Sequence, residues 1–246
     1  IASGELDGHQ LLNLKDIFIS NHRSTSGAHF GCRLVIDDDY LFASLGDRGD
    51  RDNAQNPMNH AGSIIRLNLA NPEPANSQSS WLPEIYSMGH RNPQGLVIQP
   101  STGLLWSHEH GPRGGDEINL IEQNKNYGWP TVSYGKEYIG GDIGLNSSPS
   151  GYTDPLWIWD PSIAPSGMTF YTGNMFPEWK DNLLVGALKF TSIYRVAIDP
   201  KSNKPIAEER LFNGEFGRVR DVEQANDGSI LVLSDAPNGG LYRISR

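Results

Sequence analysis

Runs of β-branched and aromatic residues, each cut off within a few positions by Gly, Pro, Asn or Asp, recur along this chain and leave no room for long helices. They include LKDIFIS, RLVI, YLFASLG, SIIRLNL, EIYSMG, GLVIQ, LLWSHE, EINLIE, MTFYTG, NLLVGAL, SIYRVAID, RLFNG, RDVEQA, SILVLSD and LYRIS. All are of strand length. The 27 Gly and 16 Pro among 246 residues supply turns at the required rate, and a 37% hydrophobic content is ordinary for a turn-rich globular fold. The chain is long enough for one sizeable core. No linker divides it, so residues 1–246 are read as a single all-β domain.

Three hairpins share a grammar in which an apolar strand runs into an acidic or Gly-containing turn and then a second apolar strand. They are RLVI-DDD-YLFASLGD, GLVIQPSTGLLWSHEHG and RDVEQANDGSILVLSD, followed by the further strands SIIRLNL, DEINLIE and LYRIS respectively. This weak repeat, with polar loops gathering at one end of each unit, suits a β-propeller, whose blades need neighbours to cover both faces. An irregular β-sandwich is the competing architecture. The stretch KEYIGGDIGLN and the SSPS that follows read as a long inserted loop.

Charge narrows the partners. A formal charge of -9 disfavours nonspecific attraction to a phosphate backbone, so no nucleic-acid partner is expected. The single cysteine, Cys32, forms no intramolecular disulfide and no Cys-rich zinc site. No uninterrupted apolar run is long enough to cross a bilayer, and IASGELDGHQ carries neither a basic nor an apolar leader segment.

Polar clusters fall where the strands end. His29, in GAHFGCR, precedes RLVI, and Asp47, in LGDRGD, ends the partner strand. A hairpin can place that carboxylate on one imidazole nitrogen, fixing the tautomer and leaving the other nitrogen free as a base, although a purely structural hydrogen bond uses the same pair. GHRNPQG brings Arg91 and Asn92 to a strand start. In EHGPRGGDEINL, Gly111 and Pro112 form a turn ahead of Asp116 and Glu117, an oxygen-rich setting that suits a hard cation or simply solvates a turn.

Taken in order, GAHFGCRL, LGDRGD, GHRNPQG, EHGPRGGDEINL and NYGWP resemble the soluble pyrroloquinoline-quinone-dependent glucose and aldose sugar dehydrogenases, from about His29 to the C-terminus. The resemblance implies a six-bladed propeller that binds the quinone and Ca2+ at one end and oxidises an aldose to its lactone. By the same resemblance His29 is the base, Asp47 its orienting carboxylate, and Arg91 the cation facing the quinone carbonyl with Asn92 beside it. Carbonyls of Gly111 and Pro112, supported by Asp116, would ligate calcium. Lys189, Arg218 and Arg220 would hold the quinone's carboxylates, and several cations are what a tricarboxylate needs. TVSYGKEY resembles a second calcium loop, with Ser133, Gly135 and Glu137 as ligands. The loop WIWDPSIAPSG, with Trp157 and Asp160, falls at the family's sugar entrance. Members are mostly periplasmic or secreted.

Two departures stand out. Ala28 replaces an aspartate that some glucose dehydrogenases carry, which favours the broader aldose branch. Nothing matches the family's opening region of about one and a half blades, so the propeller is expected to be incomplete, with about 4.5 to 5 blades, as a truncated homologue or a chain preceded by further residues. Open sheet edges would then invite self-association. A non-catalytic propeller scaffold and a calcium-dependent sugar-lactone hydrolase are the alternative functions. Electron acceptor, preferred sugar and oligomeric state are left unspecified.

Overall fold

The computed structural model describes residues 1–75 and 80–246. Strands β1 (Ala2–Asp7) and β2 (Gln10–Asp16) form an exposed two-stranded hairpin. Strands β3 (Gly31–Asp37), β4 (Tyr40–Leu45), β5 (Ser63–Asn68) and β6 (Ile85–Met88) then build one antiparallel sheet in chain order. The second sheet comprises β7 (Pro93–Ile98), β8 (Leu105–Glu109) and β9 (Asp116–Ile121). After it, β10 (Lys125–Asn126) returns to the first sheet and pairs parallel with β6, while β11 (Trp157–Trp159) becomes the outer strand of the second. The third sheet is β12 (Pro165–Phe170), β13 (Leu183–Ala187), β14 (Ser192–Asp199) and β15 (Lys204–Leu211). The fourth is β16 (Val219–Gln224), β17 (Ile230–Ser234) and β18 (Leu241–Ile244).

The first strands of the four sheets lie side by side, β3 against β7, β7 against β12 and β12 against β16. Arg33 on β3 reaches across to Asp221 on β16, Nη1 to Oδ2 at 3.1 Å. Sheets radiating from neighbouring inner strands are propeller blades, which sets the sandwich aside. Four sheets and one hairpin agree with the expected 4.5 to 5 blades.

Successive residues of a blade strand point to opposite faces, so apolar side chains on both faces, as in the fully buried Leu183–Ala187, meet neighbouring blades. Phe42, Ile64, Leu96 and Leu105 fill the space between the first and second blades. Trp106, Ile118, Phe170 and Leu183 do so between the second and third, and Leu184, Val222 and Ile230 between the third and fourth. Each aliphatic side chain buried this completely contributes about 1.5–3 kcal/mol. At the start of the chain, β3 has no such cover on its outward face, and Leu34 and Ile36 are exposed there.

Three local readings differ from expectation. ASGELD, exposed throughout, is a strand because it pairs with β2. LKDIFIS is a strand only to Asp16, after which the Ile17 and Phe18 N–H groups both donate to the Ile1 carbonyl. WIW is an edge strand, not loop, paired with Asp116–Ile118 of β9. Residues 136–150, the expected insertion, contain no named strand.

Candidate active site

Antiparallel hairpins bring the residues before a blade's first strand beside those after its second. His29 precedes β3 and Asp47 follows β4; Arg91 and Asn92 precede β7 and His110, Gly111 and Pro112 follow β8. Likewise Ala164 precedes β12 and Lys189 follows β13, while Arg218 precedes β16 and Asp235 follows β17. The same main-chain bond closes each blade: Gly46 N–H to Phe30 O (3.4 Å), His110 to Asn92 (3.1 Å), Leu188 to Ala164 (3.0 Å) and Asp235 to Arg218 (2.7 Å). All four inner strands also begin with a register shift, at Gly31/Leu34, Pro93/Gly95, Pro165/Met168 and Val219/Asp221. Such bulges re-aim the chain where the polar residues sit.

His29 adopts φ +51°, a left-handed conformation, and its imidazole is 21% exposed. Gly46 makes that position possible, since a Cβ there would lie 2.2 Å from the His29 carbonyl oxygen. His29 Nδ1 lies 2.6 Å from Asp47 Oδ1, which also accepts the Gly49 N–H at 2.7 Å. The indole N–H of Trp129 donates to Asp47 Oδ2 at 2.8 Å. Burial alone would push the Asp47 carboxyl up, but these donors hold it below the ordinary carboxylate range. A carboxylate on Nδ1 leaves Nε2 as the imidazole's free basic atom.

Arg91 is 7% exposed and donates from Nη1 to the carbonyls of His110 (2.9 Å) and Gly111 (2.8 Å). Its Nε is buried without a partner. Its backbone N–H donates to Glu109, which also accepts from His90. Asn92 Oδ1 accepts the Gly31 N–H (3.3 Å) and a Gln94 amide N–H (3.0 Å). His29, Asp47, Arg91, Pro112, Trp129, Arg51, Glu137 and Tyr138 line one cleft. Arg91, Gly111, Pro112, Glu109, Glu117, Trp129 and Ser133 line an adjoining pocket.

Carbonyl-rich turns and carboxylates dominate that second pocket. Gly111 is required, because a Cβ there would lie 2.2 Å from the Gly115 carbonyl oxygen. Asp116 accepts the N–H groups of Gly111 (2.9 Å) and Ala164 (2.8 Å), and burial pushes its carboxyl up. Asp116 therefore shapes the turn from beneath and is committed to backbone donors. Burial, with the like charge of Glu109, pushes the Glu117 carboxyl well above its ordinary range. Two carboxylates and backbone oxygens around one small pocket form a donor set that suits a hard cation. Among the described residues no group of three His, Cys, Asp or Glu side chains could by itself hold a metal. The predicted ligands are mainly carbonyls.

The remaining predicted residues are distributed less closely. Ser133 lines the carboxylate pocket and its Oγ accepts the Gly135 N–H at 3.3 Å. Glu137 pairs instead with Arg51 (2.6 Å) and faces the His29 cleft. Lys189 is exposed, and among the described residues it has no ion pair, its Nζ standing 5.2 Å from the Phe190 ring. Arg218 and Arg220 both bind Asp235, at 3.0 Å each. All three occupy the site end of their blades but do not line the His29 cleft. Trp157 lies on the outermost strand of its blade with its indole on Glu208 (3.2 Å), and Asp160 sits exposed beside Gly114. An outer strand is the part of a blade furthest from the axis, so the structure does not bring Trp157 to the cleft. Arg51, Glu109 and Tyr138 carry no assigned role in the sequence motifs, whereas Glu117 belongs to the oxygen-rich turn expected there. Of these, Glu109 was legible in principle, because EHG closes the hairpin that GHR opens.

Residues 1–243 match the glucose/sorbosone dehydrogenase family. The chain belongs to that family. It is 36% identical to the aldose sugar dehydrogenase YliI of Escherichia coli, the match covering 97% of this chain and 66% of that protein. A crystal structure of a glucose dehydrogenase, 38% identical, superposes with a TM-score of 0.94 over the whole chain and 73% of its own length. The PQQ-bound aldose sugar dehydrogenase of Streptomyces coelicolor, 26% identical, gives a TM-score of 0.74 over 97% of this chain and 67% of its own. Glucose/sorbosone dehydrogenase membership thus accounts for the ordered motifs and the propeller blades together. Among the described residues no helix is long and apolar enough to cross a membrane.

Proposed function

We propose that this chain carries the active site of a quinone-dependent aldose dehydrogenase, which takes a hydride from the anomeric carbon of an aldose and a proton from its hydroxyl to leave the lactone. The observation that carries the reading is one cleft lined by a His29–Asp47 pair, 2.6 Å apart, and by Arg91. His29 Nε2 takes the proton of the C1 hydroxyl, and the charge that forms on the imidazole is stabilised by Asp47 at Nδ1. Arg91, fixed by the His110 and Gly111 carbonyls, meets negative charge developing on the acceptor. The buried, unpartnered Arg91 Nε and the pocket of backbone oxygens and carboxylates fit a polar acceptor and a cation respectively. Pyrroloquinoline quinone, when bound with Ca2+, would supply the hydride acceptor and its Lewis-acid activation. Gly111, Pro112, Glu117 and Ser133 would hold the cation, Asn92 would contact the quinone, and Lys189, Arg218 and Arg220 would meet its carboxylates. Action outside the cytoplasm belongs to the same reading.

The test is reconstitution. Purified protein given the quinone and Ca2+ is expected to reduce a dye with glucose or other aldoses, and His29→Ala to abolish this. Lactone hydrolysis without quinone would instead support the hydrolase, and neither activity nor quinone binding would support a scaffold.

A further inference from the structure

The segment NYGWP joins the two blades that make the cleft, and its tryptophan touches both halves of the machinery. β10 adds Asn126 to the edge of the first blade, and the Trp129 backbone N–H donates to the Gly89 carbonyl (3.0 Å) at the start of GHRNPQG. Gln55 holds the Trp129 carbonyl at 2.7 Å and exchanges hydrogen bonds with Asn126. The ring is thereby fixed, 7% exposed, between Ala54 and Ile143. Its N–H is the donor to Asp47 Oδ2, the carboxylate oxygen that His29 does not use. The guanidinium of Arg91 lies 5.3 Å from its ring centroid and that of Arg51 lies 5.6 Å away.

We infer that Trp129 is a positioning residue that sets the His29–Asp47 pair and Arg91 relative to each other, its N–H orienting the carboxylate and its ring seating the guanidinium. The physical reason is that a carboxylate held at one oxygen alone can rotate about its Cβ–Cγ bond and carry the imidazole with it. A donor on Oδ2 removes that freedom. The ring then ties this orientation to Arg91, because an indole face attracts a guanidinium from a fixed direction. The inference rests on the dehydrogenase reading for its catalytic meaning but not for its geometry.

Its test separates the two. Replacing Trp129 by its sulfur isostere, β-(3-benzothienyl)alanine, keeps shape and ring and removes only the N–H. In the protein without quinone, the short His29 Nδ1–H to Asp47 bond should give a low-field proton resonance, identified by its loss in His29→Ala. The isostere is expected to move that resonance upfield or broaden it, and to lower kcat by roughly tenfold to a hundredfold with KM for the sugar little changed. Quinone binding should stay within about twofold for the isostere, because Arg91 keeps its ring, and weaken about tenfold in Trp129→Leu. An isostere with wild-type resonance and kcat overturns the inference. A wild-type chain that binds no quinone and oxidises no sugar overturns the dehydrogenase reading, while a shifted resonance in the isostere would still support the orienting role.

Discussion

The two halves of the site end hold their charges in opposite ways. Between the first and second blades, Asp47, Arg91 and Glu109 are nearly inaccessible, and each is held by two or more specific donors or acceptors. On the third and fourth blades, Lys189 is exposed and, among the described residues, without an acidic partner, and Arg218 and Arg220 share the partly exposed Asp235. The first arrangement is preorganised, so its charges meet a reaction without moving. The second is a set of solvated cations whose mutual pairing is worth about 0–1 kcal/mol and is readily exchanged for a ligand carboxylate. Under the proposed dehydrogenase function, the contrast would assign rate to the first pair of blades and affinity to the second.

The largest effect should come from the preorganised half. His29→Ala is expected to lower kcat/KM by at least about a hundredfold, the ordinary contribution of a general base, while leaving quinone binding nearly unchanged in a titration. A large loss of quinone affinity instead would break the division. Next, Gly46→Ala forces a Cβ into the His29 carbonyl and should cost about 2 kcal/mol of stability in a denaturant melt, with a drop in kcat beyond what unfolding explains. Asp47→Asn should cost about 2 kcal/mol at neutral pH. Because the folded carboxyl is depressed, that contribution is fully present above the ordinary Asp value near pH ~4 and is lost as pH falls through the lower folded value. Thermal melts of the two proteins should therefore converge in acid, and parallel curves down to the lowest pH would contradict the network described. In the other half, Lys189→Met should weaken quinone binding about tenfold with kcat at saturation unchanged. Smallest of all, Asp235→Asn should change stability by less than about 0.5 kcal/mol while tightening quinone binding severalfold, since it frees two arginines.

Comparison of the blades also explains what could be read in advance. RLVI-DDD-YLF is a strand, a tight turn with Asp38 at φ +45°, and a strand in the register Asp37 to Tyr40, so its signal is wholly local. The third blade gives no such signal. Its first two strands are separated by residues 171–182, a folded segment in which Phe176 and Trp179 stack with ring centroids 4.3 Å apart. The β1 strand carries no apolar alternation because nothing covers it. Motif position alone points Trp157 to the sugar entrance, and sequence position does not say that its strand is the outermost of the blade.

The chain's own residues determined the strand-and-turn rhythm, the acidic surface and the order of polar words at strand ends, because each depends on neighbours a few positions away. The pairing of His29 with Asp47 was legible for the same reason, since one hairpin spans both. Tertiary structure decided that Trp129 reaches back to Asp47, that Glu137 turns to Arg51 and that Arg33 finds Asp221. These contacts join residues 82, 86 and 188 positions apart in the chain. They exist only because separate blades pack side by side, and no local preference of the backbone encodes how one blade meets the next.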